Sequence, residues 1–125
     1  DKRHGQGRMT YPGGSVYEGA WAADEKHGQG RYTWGPGDFE GDVYEGTYLN
    51  GERTGQGTYT STDGWTYTGE WLAGERSGQG AQRYADDRFF QGTWADDEPI
   101  QGTLQQPGGE PRPVSVVAGQ FVYTD

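Results

Sequence analysis

Large aromatic residues and polar residues alternate along this chain. In the segment Tyr67-Thr68-Gly69-Glu70-Trp71, two rings flank a glycine at a spacing of two residues. Because successive residues of a strand point to opposite faces of a sheet, Tyr67, Gly69 and Trp71 share one face. Thr68 and Glu70 share the other face, which we expect to meet solvent. No stretch shows a helical period, so the pattern predicts strands with one aromatic and one polar face.

The pattern recurs at nearly constant spacing. Four copies of the ring–glycine–ring motif are present, as Tyr17-Glu18-Gly19-Ala20-Trp21, Tyr44-Glu45-Gly46-Thr47-Tyr48, Tyr67-Thr68-Gly69-Glu70-Trp71 and Phe90-Gln91-Gly92-Thr93-Trp94. Four Gly-Gln-Gly motifs begin at Gly5, Gly28, Gly55 and Gly78. Both series repeat every 23 residues except for one interval of 27, which places an insertion between Gly30 and Tyr44. Repeats of this length are typical of arrays in which each copy forms one small structural unit.

Each repeat predicts one β-hairpin. A polar loop such as Ala73-Gly74-Glu75-Arg76-Ser77-Gly78 is expected between the two strands of the unit. A tight turn is expected after the second strand, as at Thr62-Asp63-Gly64, because Asp-Gly is a strong hairpin signal. The glycines within the strands would normally weaken a strand. We expect them to be flat places over which the rings of a neighbouring strand lie. The second strands add further rings and one thioether to the same face: Met9, Tyr11, Tyr32 and Trp34.

One copy of the repeat runs from Tyr44-Glu45-Gly46 through Asn50-Gly51-Glu52-Arg53-Thr54-Gly55-Gln56-Gly57-Thr58-Tyr59. It resembles the repeat unit of the MORN (membrane occupation and recognition nexus) family, and the resemblance extends from Lys2 to Leu104. The resemblance implies an all-β fold: an elongated, twisted, single-layer antiparallel sheet with one hairpin per repeat. The sequence departs from the family pattern at three places: the insertion Gly35–Asp42, the Phe90-Gln91 variant, and Pro99-Ile100 in place of the last His-Gly.

The repeats divide the chain into three parts. Residues 1–104 are predicted to form the repeat domain, with a half repeat at 2–16 and repeats that begin near residues 17, 44, 67 and 90. Residues 105–113 are rich in proline and glycine and are predicted to be a linker. Residues 114–125 are predicted to form cap strands or the start of a following domain.

Composition and charge narrow the range of functions. Glycine accounts for 24 of the 125 residues and the net charge is −9, which is typical of disordered chains, but 14% of the residues are aromatic. The chain has no cysteine, which excludes disulfides and thiolate metal sites. The acidic balance argues against nucleic acid as a partner. No apolar run approaches the ~18 residues of a membrane span.

Candidates for catalysis and metal binding are few. His4 and His27 occupy the same position of successive repeats without a third ligand, so a role in shaping the loop is favoured over a zinc pair. Asp38, Glu40 and Asp42 in the insertion lack the pattern of a calcium loop, so a solvated loop is favoured over a calcium site. We predict no catalytic residue, no metal site and no cofactor.

Charged residues recur with the repeat. Glu18 and Glu45 become Thr68 and Gln91 in the other copies, which favours a solvated strand face over a glycosidase-like pair of carboxylates. An acidic and a basic residue also recur side by side, at Glu25-Lys26, Glu52-Arg53 and Glu75-Arg76, with Glu98-Pro99 last. We expect stacked repeats to align these as two adjacent rows that nearly cancel. Such rows would lack the uncompensated basic stripe that phospholipid binding needs.

The aromatic face is the predicted binding site. Regularly spaced Tyr and Trp residues offer large contact area at little cost in side-chain entropy, as interface hot spots do. The same rings are expected to stack on one another as the core of the fold. We predict a partner-binding groove lined by Tyr17, Trp21, Tyr32, Trp34, Tyr44, Tyr48, Tyr59, Tyr67, Trp71, Tyr84, Phe90 and Trp94.

The predicted function is that of a non-catalytic scaffold. It would dock a protein segment in the groove, either a helix or a basic peptide, since the acidic charge favours a basic partner. Three alternatives stay open: association with phosphoinositide headgroups at a membrane surface, a targeting region of a larger enzyme such as a SET-domain lysine methyltransferase, and carbohydrate or choline binding through aromatic cages. The open ends and edges of the sheet favour homo-oligomers. We expect a cytoplasmic protein, with cytoskeletal or membrane association as a further expectation.

Overall fold

The computed structural model describes residues 4–125, which form one open antiparallel sheet of 11 strands and no helix. Each strand pairs with the next strand in sequence, so the described part of the chain is a series of consecutive hairpins. The predicted all-β hairpin repeat is thereby confirmed. The strands are β1 (Gly5–Thr10), β2 (Val16–Ala22), β3 (Glu25–Thr33), β4 (Val43–Leu49), β5 (Glu52–Thr60), β6 (Thr66–Leu72), β7 (Glu75–Arg83), β8 (Phe89–Ala95), β9 (Glu98–Gln105), β10 (Arg112–Val117) and β11 (Gln120–Tyr123).

The predicted repeats correspond to pairs of strands. The first residues of the half repeat at 2–16 lie outside the described part of the chain, and the remainder contains β1. The repeats that begin near residues 17, 44, 67 and 90 are the pairs β2–β3, β4–β5, β6–β7 and β8–β9. Among the described residues, no helix is long and apolar enough to cross a membrane.

The hairpin turn within each repeat is shorter than the sequence indicated. Between β6 and β7 only Ala73 and Gly74 lie outside the strands, with φ angles of 49° and 88°. Two residues with positive φ are typical of a type I′ turn, whose twist matches that of the flanking strands. Glu75, Arg76 and the residues up to Gly78 therefore belong to β7, and the expected six-residue loop is wrong.

The first glycine of the Gly-Gln-Gly motif permits an irregularity in the strand. The register of β6 and β7 shifts between Gly69 and Trp71, where more residues of β7 than of β6 lie between successive pairs. Gly78 lies in the irregular part of β7 and has a φ of 74°. A left-handed residue of this kind is characteristic of a β-bulge, and it favours glycine. The shift recurs between β2 and β3 and between β4 and β5.

The connections between repeats are longer. Between β5 and β6, Ser61 N donates a hydrogen bond to Trp65 O at 2.9 Å, and Gly64 N donates to Ser61 O at 3.2 Å. The predicted turn at Thr62-Asp63-Gly64 lies within this connection. The insertion widens the corresponding connection between β3 and β4, which is closed by Trp34 N donating to Asp42 O at 3.0 Å. The extra residues therefore leave the pairing of the strands on either side intact.

The core consists of tyrosine rings that lie against glycines of the adjacent strand. Tyr44 and Tyr67 are completely buried, and their rings occupy the space that a Cβ on Gly57 or Gly80 would need. Tyr17 and Gly30 make the same contact in the first full repeat. In each repeat this glycine also pairs across the strands with the glycine of the ring–glycine–ring motif. The prediction that the glycines provide flat places for the rings is thereby confirmed for the second glycine of the Gly-Gln-Gly motif. A Cβ on the glycine of the ring–glycine–ring motif would instead first meet the backbone of the adjacent strand.

The buried rings continue from one repeat to the next. Tyr44 contacts Tyr48 of its own strand and Trp71 of the next repeat, with ring centroids 5.3 and 5.2 Å apart and planes inclined by 85° in both pairs. Such edge-to-face geometry suits the quadrupoles of the rings. The polar atoms are also satisfied: the Tyr44 hydroxyl donates to Thr47 O at 3.0 Å, and Trp71 Nε1 donates to Gly57 O at 3.1 Å.

The C-terminal strands extend the same sheet. Part of the stretch expected to be a linker is strand, because Gln105 ends β9 and Arg112 begins β10. Strand β11 then places Phe121 against Phe90, with ring centroids 5.2 Å apart. Val114 of β10 is buried to 2% exposure and joins the same hydrophobic cluster.

The contact between ring and glycine predicts a large effect of one methyl group. We expect Gly80→Ala to lower the free energy of unfolding by about 2–3 kcal/mol, because the new Cβ would overlap the Tyr67 ring. Urea denaturation followed by tryptophan fluorescence measures the change. Gly13→Ala is the control, since a Cβ there meets no atom within 4 Å. A loss as small at Gly80 as at Gly13 would show that the ring can move aside at little cost.

Candidate functional site

The twelve residues of the predicted groove lie in one contiguous cluster, and most of them are core. Tyr32, Trp34 and Tyr84 are partly buried and pack against the others. The remaining nine are less than a tenth exposed: Tyr17, Trp21, Tyr44, Tyr48, Tyr59, Tyr67, Trp71, Phe90 and Trp94. These nine hold the sheet together and offer little surface to a partner. The accessible part of the aromatic face is therefore narrower than the predicted set.

Near the middle of the aromatic face, two accessible rings were not among the residues that the sequence indicated. Trp65, in the connection between β5 and β6, stacks on Tyr59 with ring centroids 5.0 Å apart and planes inclined by 10°. Phe39, in the insertion, is 57% exposed. Both border a central cleft of about 280 Å³, which Trp34, Tyr59 and Trp71 also line. Their positions do not recur with the repeat, which is why the periodic pattern did not reveal them.

Three cations occupy the aromatic face. Lys26, Arg53 and Arg76 pair in register with Trp21, Tyr48 and Trp71 of the preceding strands, so their side chains lie on the same face as the rings. Arg53 Cζ lies 4.9 Å from the centroid of Trp71, and Arg76 Cζ lies 4.8 Å from that of Trp94. Lys26 Nζ lies 5.5–5.8 Å from the ring centroids of Tyr11, Tyr17, Tyr32 and Tyr48. We call Lys26, Arg53 and Arg76 the basic row.

The glutamates that precede the basic row in sequence alternate with it along the strands. Glu25, Glu52 and Glu75 each precede a member of the row within a strand and are exposed. Successive strand residues point to opposite faces, so these carboxylates belong to the polar face. The expectation of two adjacent, nearly cancelling rows did not allow for this alternation, although Glu52 still borders one cavity together with Lys26 and Arg53. It assumed that these residues lie in a loop, whereas the two-residue turns place them in strands.

Burial on this face changes the ionisation of several groups. Burial raises the pKa of Tyr44 to about 12, against the lowering effects of Arg53 and of the hydrogen bond with Thr47. Burial raises the pKa of Tyr67 to about 12 as well, again opposed by a cation of the basic row, Arg76. Burial lowers the pKa of the Lys26 ammonium. The phenols therefore stay neutral hydrogen-bond donors at neutral pH.

The buried carboxylate of Asp42 anchors the insertion beside the central cleft through hydrogen bonds. Asp42 is 4% exposed and accepts hydrogen bonds from the Tyr59 hydroxyl at 2.5 Å, from Thr62 N at 2.9 Å and from Thr62 Oγ1 at 3.2 Å. Asp38 and Glu40, the other acidic residues considered for calcium, are exposed. Among residues 4–125, no group of three His, Cys, Asp or Glu side chains is arranged to hold a metal ion.

The basic row ends before the last repeat. Pro99 pairs with Trp94 at the position that Lys26, Arg53 and Arg76 hold in the earlier repeats. A cavity of about 510 Å³ opens beside Pro99 and is also lined by Tyr84, Leu104, Phe121 and Tyr123. Pro99 thus contributes no charge at this position, and the cation that lines the cavity is Arg88, from the connection before β8.

Comparison with known families finds four consecutive matches to the MORN repeat, at residues 1–16, 17–39, 44–66 and 67–87. The matches cover more than half of the chain and begin where the sequence placed the repeats at residues 17, 44 and 67. A comparison with curated proteins finds no match.

The buried carboxylate of Asp42 generates a prediction about the cleft. We expect Asp42→Ala to lower the free energy of unfolding by about 2–3 kcal/mol, because the Tyr59 hydroxyl and Thr62 N would lose their acceptor. Urea denaturation measures the change, with Asp38→Ala as the control at an exposed acidic residue of the same insertion. An equally small effect of both substitutions would mean that Asp42 does not anchor the insertion.

Proposed function

Because this chain belongs to the MORN repeat family, whose repeats occur in protein- and membrane-interaction contexts, we propose that it is a scaffold that docks a segment of a partner protein on its aromatic face. The observation that carries the proposal is the central cleft. Its lining includes one exposed ring, Phe39, the half-buried rings of two tryptophans, and two cations of the basic row, Arg53 and Arg76.

The residue types of the cleft support protein docking. Trp, Tyr and Arg are enriched among the residues that contribute most to binding energy. Phe39 is more than half exposed, and Trp34 and Trp65 retain accessible surface beside it. Nothing in the described part of the chain covers this face with a second layer, since all 11 strands belong to one sheet. A docked segment would supply that layer locally and bury the exposed rings.

The charge of the aromatic face narrows the partner. A helix and a basic peptide are both expected from the sequence. A basic peptide on this face would bring its cations close to Lys26 and Arg53, which raises the cost of binding. We therefore propose an apolar segment such as a helix as the occupant of the aromatic face. The polar face, where Glu25 and Glu52 lie, is the surface that would attract a basic peptide.

Association with anionic lipid headgroups is the second candidate. The basic row favours it, because its members lie on one face and the glutamates on the other. The net charge of −9 opposes approach to an anionic membrane. Three cations contribute only about 1 kcal/mol each near such a surface. We therefore place lipid binding after protein docking.

The proposed function predicts that exposed rings control partner capture. We expect Phe39→Ser combined with Trp65→Ser to reduce the partner recovered from native extract at least ~10-fold, because truncation of one hot-spot ring alone costs more than about 1 kcal/mol. Affinity capture followed by quantitative mass spectrometry measures the recovery.

The control is Leu49→Ser combined with Leu72→Ser. These leucines are 47% and 62% exposed and follow Tyr48 and Trp71, so they lie on the polar face. Equal losses in the two double variants, with melting temperatures unchanged, would contradict docking on the aromatic face.

A further inference from the structure

The turns of successive repeats place one equivalent residue beside each member of the basic row. Gly51 N donates to Lys26 O at 2.9 Å, Gly74 N donates to Arg53 O at 2.9 Å, and Asp97 N donates to Arg76 O at 3.1 Å. The three turn residues therefore stand in the same relation to the preceding repeat. Two of them are glycines and the third carries a carboxylate.

The carboxylate of Asp97 completes the environment of Arg76. Asp97 Oδ1 accepts hydrogen bonds from Arg76 Nε at 2.7 Å and from Arg76 N at 3.1 Å, and Asp97 O accepts one from Arg76 Nη2 at 2.8 Å. Burial raises the pKa of Asp97, but the hydrogen bonds with Arg76 outweigh it and hold the pKa below its ordinary value. The last basic residue of the row is thus paired within the chain.

Arg53 keeps the backbone part of this arrangement without the carboxylate. Its Nη2 donates to Gly74 O at 2.8 Å, the counterpart of the Arg76 bond to Asp97 O. Within residues 4–125, neither Arg53 nor Lys26 forms an ion pair with a carboxylate. A cation that is partly removed from water is costly unless an anion accompanies it. The two repeats with a turn glycine therefore hold positive charge that no carboxylate of the described residues pairs with.

There is space for an anion at this point. Lys26 and Arg53 border a common cavity of about 260 Å³, which Gly51, Gly74 and the rings of Tyr32, Trp34 and Tyr48 also line. Glu52 borders the cavity as well, but within residues 4–125 it forms no ion pair with either cation. A Cβ on Gly74 would have Arg53 Nη2 at 3.7 Å as its nearest neighbour, an ordinary contact distance. A first side-chain atom at Gly74 therefore makes no close contact, and the group it lies nearest to is the guanidinium.

We propose that Arg53, together with Lys26, binds an aspartate or glutamate side chain of the docked protein segment, in the position that the Asp97 carboxylate occupies at Arg76. The inference rests on the proposed function and adds an acidic residue to the apolar segment that the cleft accepts. The pairing of Arg76 with Asp97 shows that this geometry suits a carboxylate. The net charge of −9 favours an isolated acidic side chain over an anionic membrane surface.

The test introduces a carboxylate beside Arg53 by substitution of the turn glycine. Gly74→Asp fills the position, and Gly74→Asn adds a side chain of the same size without the charge. Both fit the turn, because Asp24 and Asp97 adopt φ angles of 72° and 70° at the equivalent positions. The probes are two short fluorescent peptides, one of alternating leucine and glutamate and one of alternating leucine and glutamine. Their anisotropy is followed during titration with the full chain.

We expect the unmodified chain to bind the glutamate peptide at least ~10-fold more tightly than the glutamine peptide, a difference of about 1.4 kcal/mol. Gly74→Asp removes that difference and Gly74→Asn retains it. Equal affinities for the two peptides, failure of the glutamate peptide to bind, or a preference that survives Gly74→Asp would each overturn the inference.

Two further measurements separate this inference from its alternatives. Vesicles that contain phosphatidylinositol bisphosphate are titrated in parallel. Binding to them that Gly74→Asp abolishes, without binding of the glutamate peptide, assigns the site to lipid headgroups and overturns the inference. Partner capture that depends on Phe39 and Trp65 but not on the charge at residue 74 would also overturn it, while the proposed docking function would stand.

Discussion

The contact between a tyrosine ring and a glycine of the next strand is the interaction on which the rest of the structure depends. A single sheet has no second layer to cover its apolar side chains, so they have to be buried within the sheet's own face. The ring of Tyr44 lies where a side chain on Gly57 would stand, and Tyr67 makes the same contact with Gly80. This contact accounts for a composition that combines 24 glycines with 14% aromatic residues in a chain that folds.

The same contact shapes the aromatic face. Rings that lie flat over the glycines leave room above them for long side chains, and the register places Lys26, Arg53 and Arg76 there. Each cation gains about 0.5–2 kcal/mol from a ring and loses hydration in the process. Within residues 4–125, Arg76 is the one member of the basic row that a carboxylate accompanies, that of Asp97. The buried rings of this face are consequently the core of the sheet, and the cations that lie over them are only partly paired. Such a surface suits the proposed docking of a partner segment.

Much of the fold could be predicted from the sequence because each repeat has the same spacing of rings and glycines. The period of 23 residues gave the hairpins, and the ring–glycine–ring motif gave the aromatic face. The turns were harder to predict, since Ala73 carries no sign of the φ of 49° that it adopts. That error placed Glu75 and Arg76 in a loop instead of a strand, and so hid the alternation of acidic and basic side chains between the two faces. Phe39 and Trp65 were missed because they lie outside the periodic positions.

The central claim is that the ring and the glycine act as one unit, and a double-mutant cycle on Tyr44 and Gly57 tests it most directly. Tyr44→Leu removes the ring atoms that a Cβ on Gly57 would overlap. We expect Gly57→Ala to destabilise the unmodified chain but to cost little in the Tyr44→Leu background. The coupling free energy from urea denaturation should then be at least about 1 kcal/mol. Additive effects of the two substitutions would contradict the account.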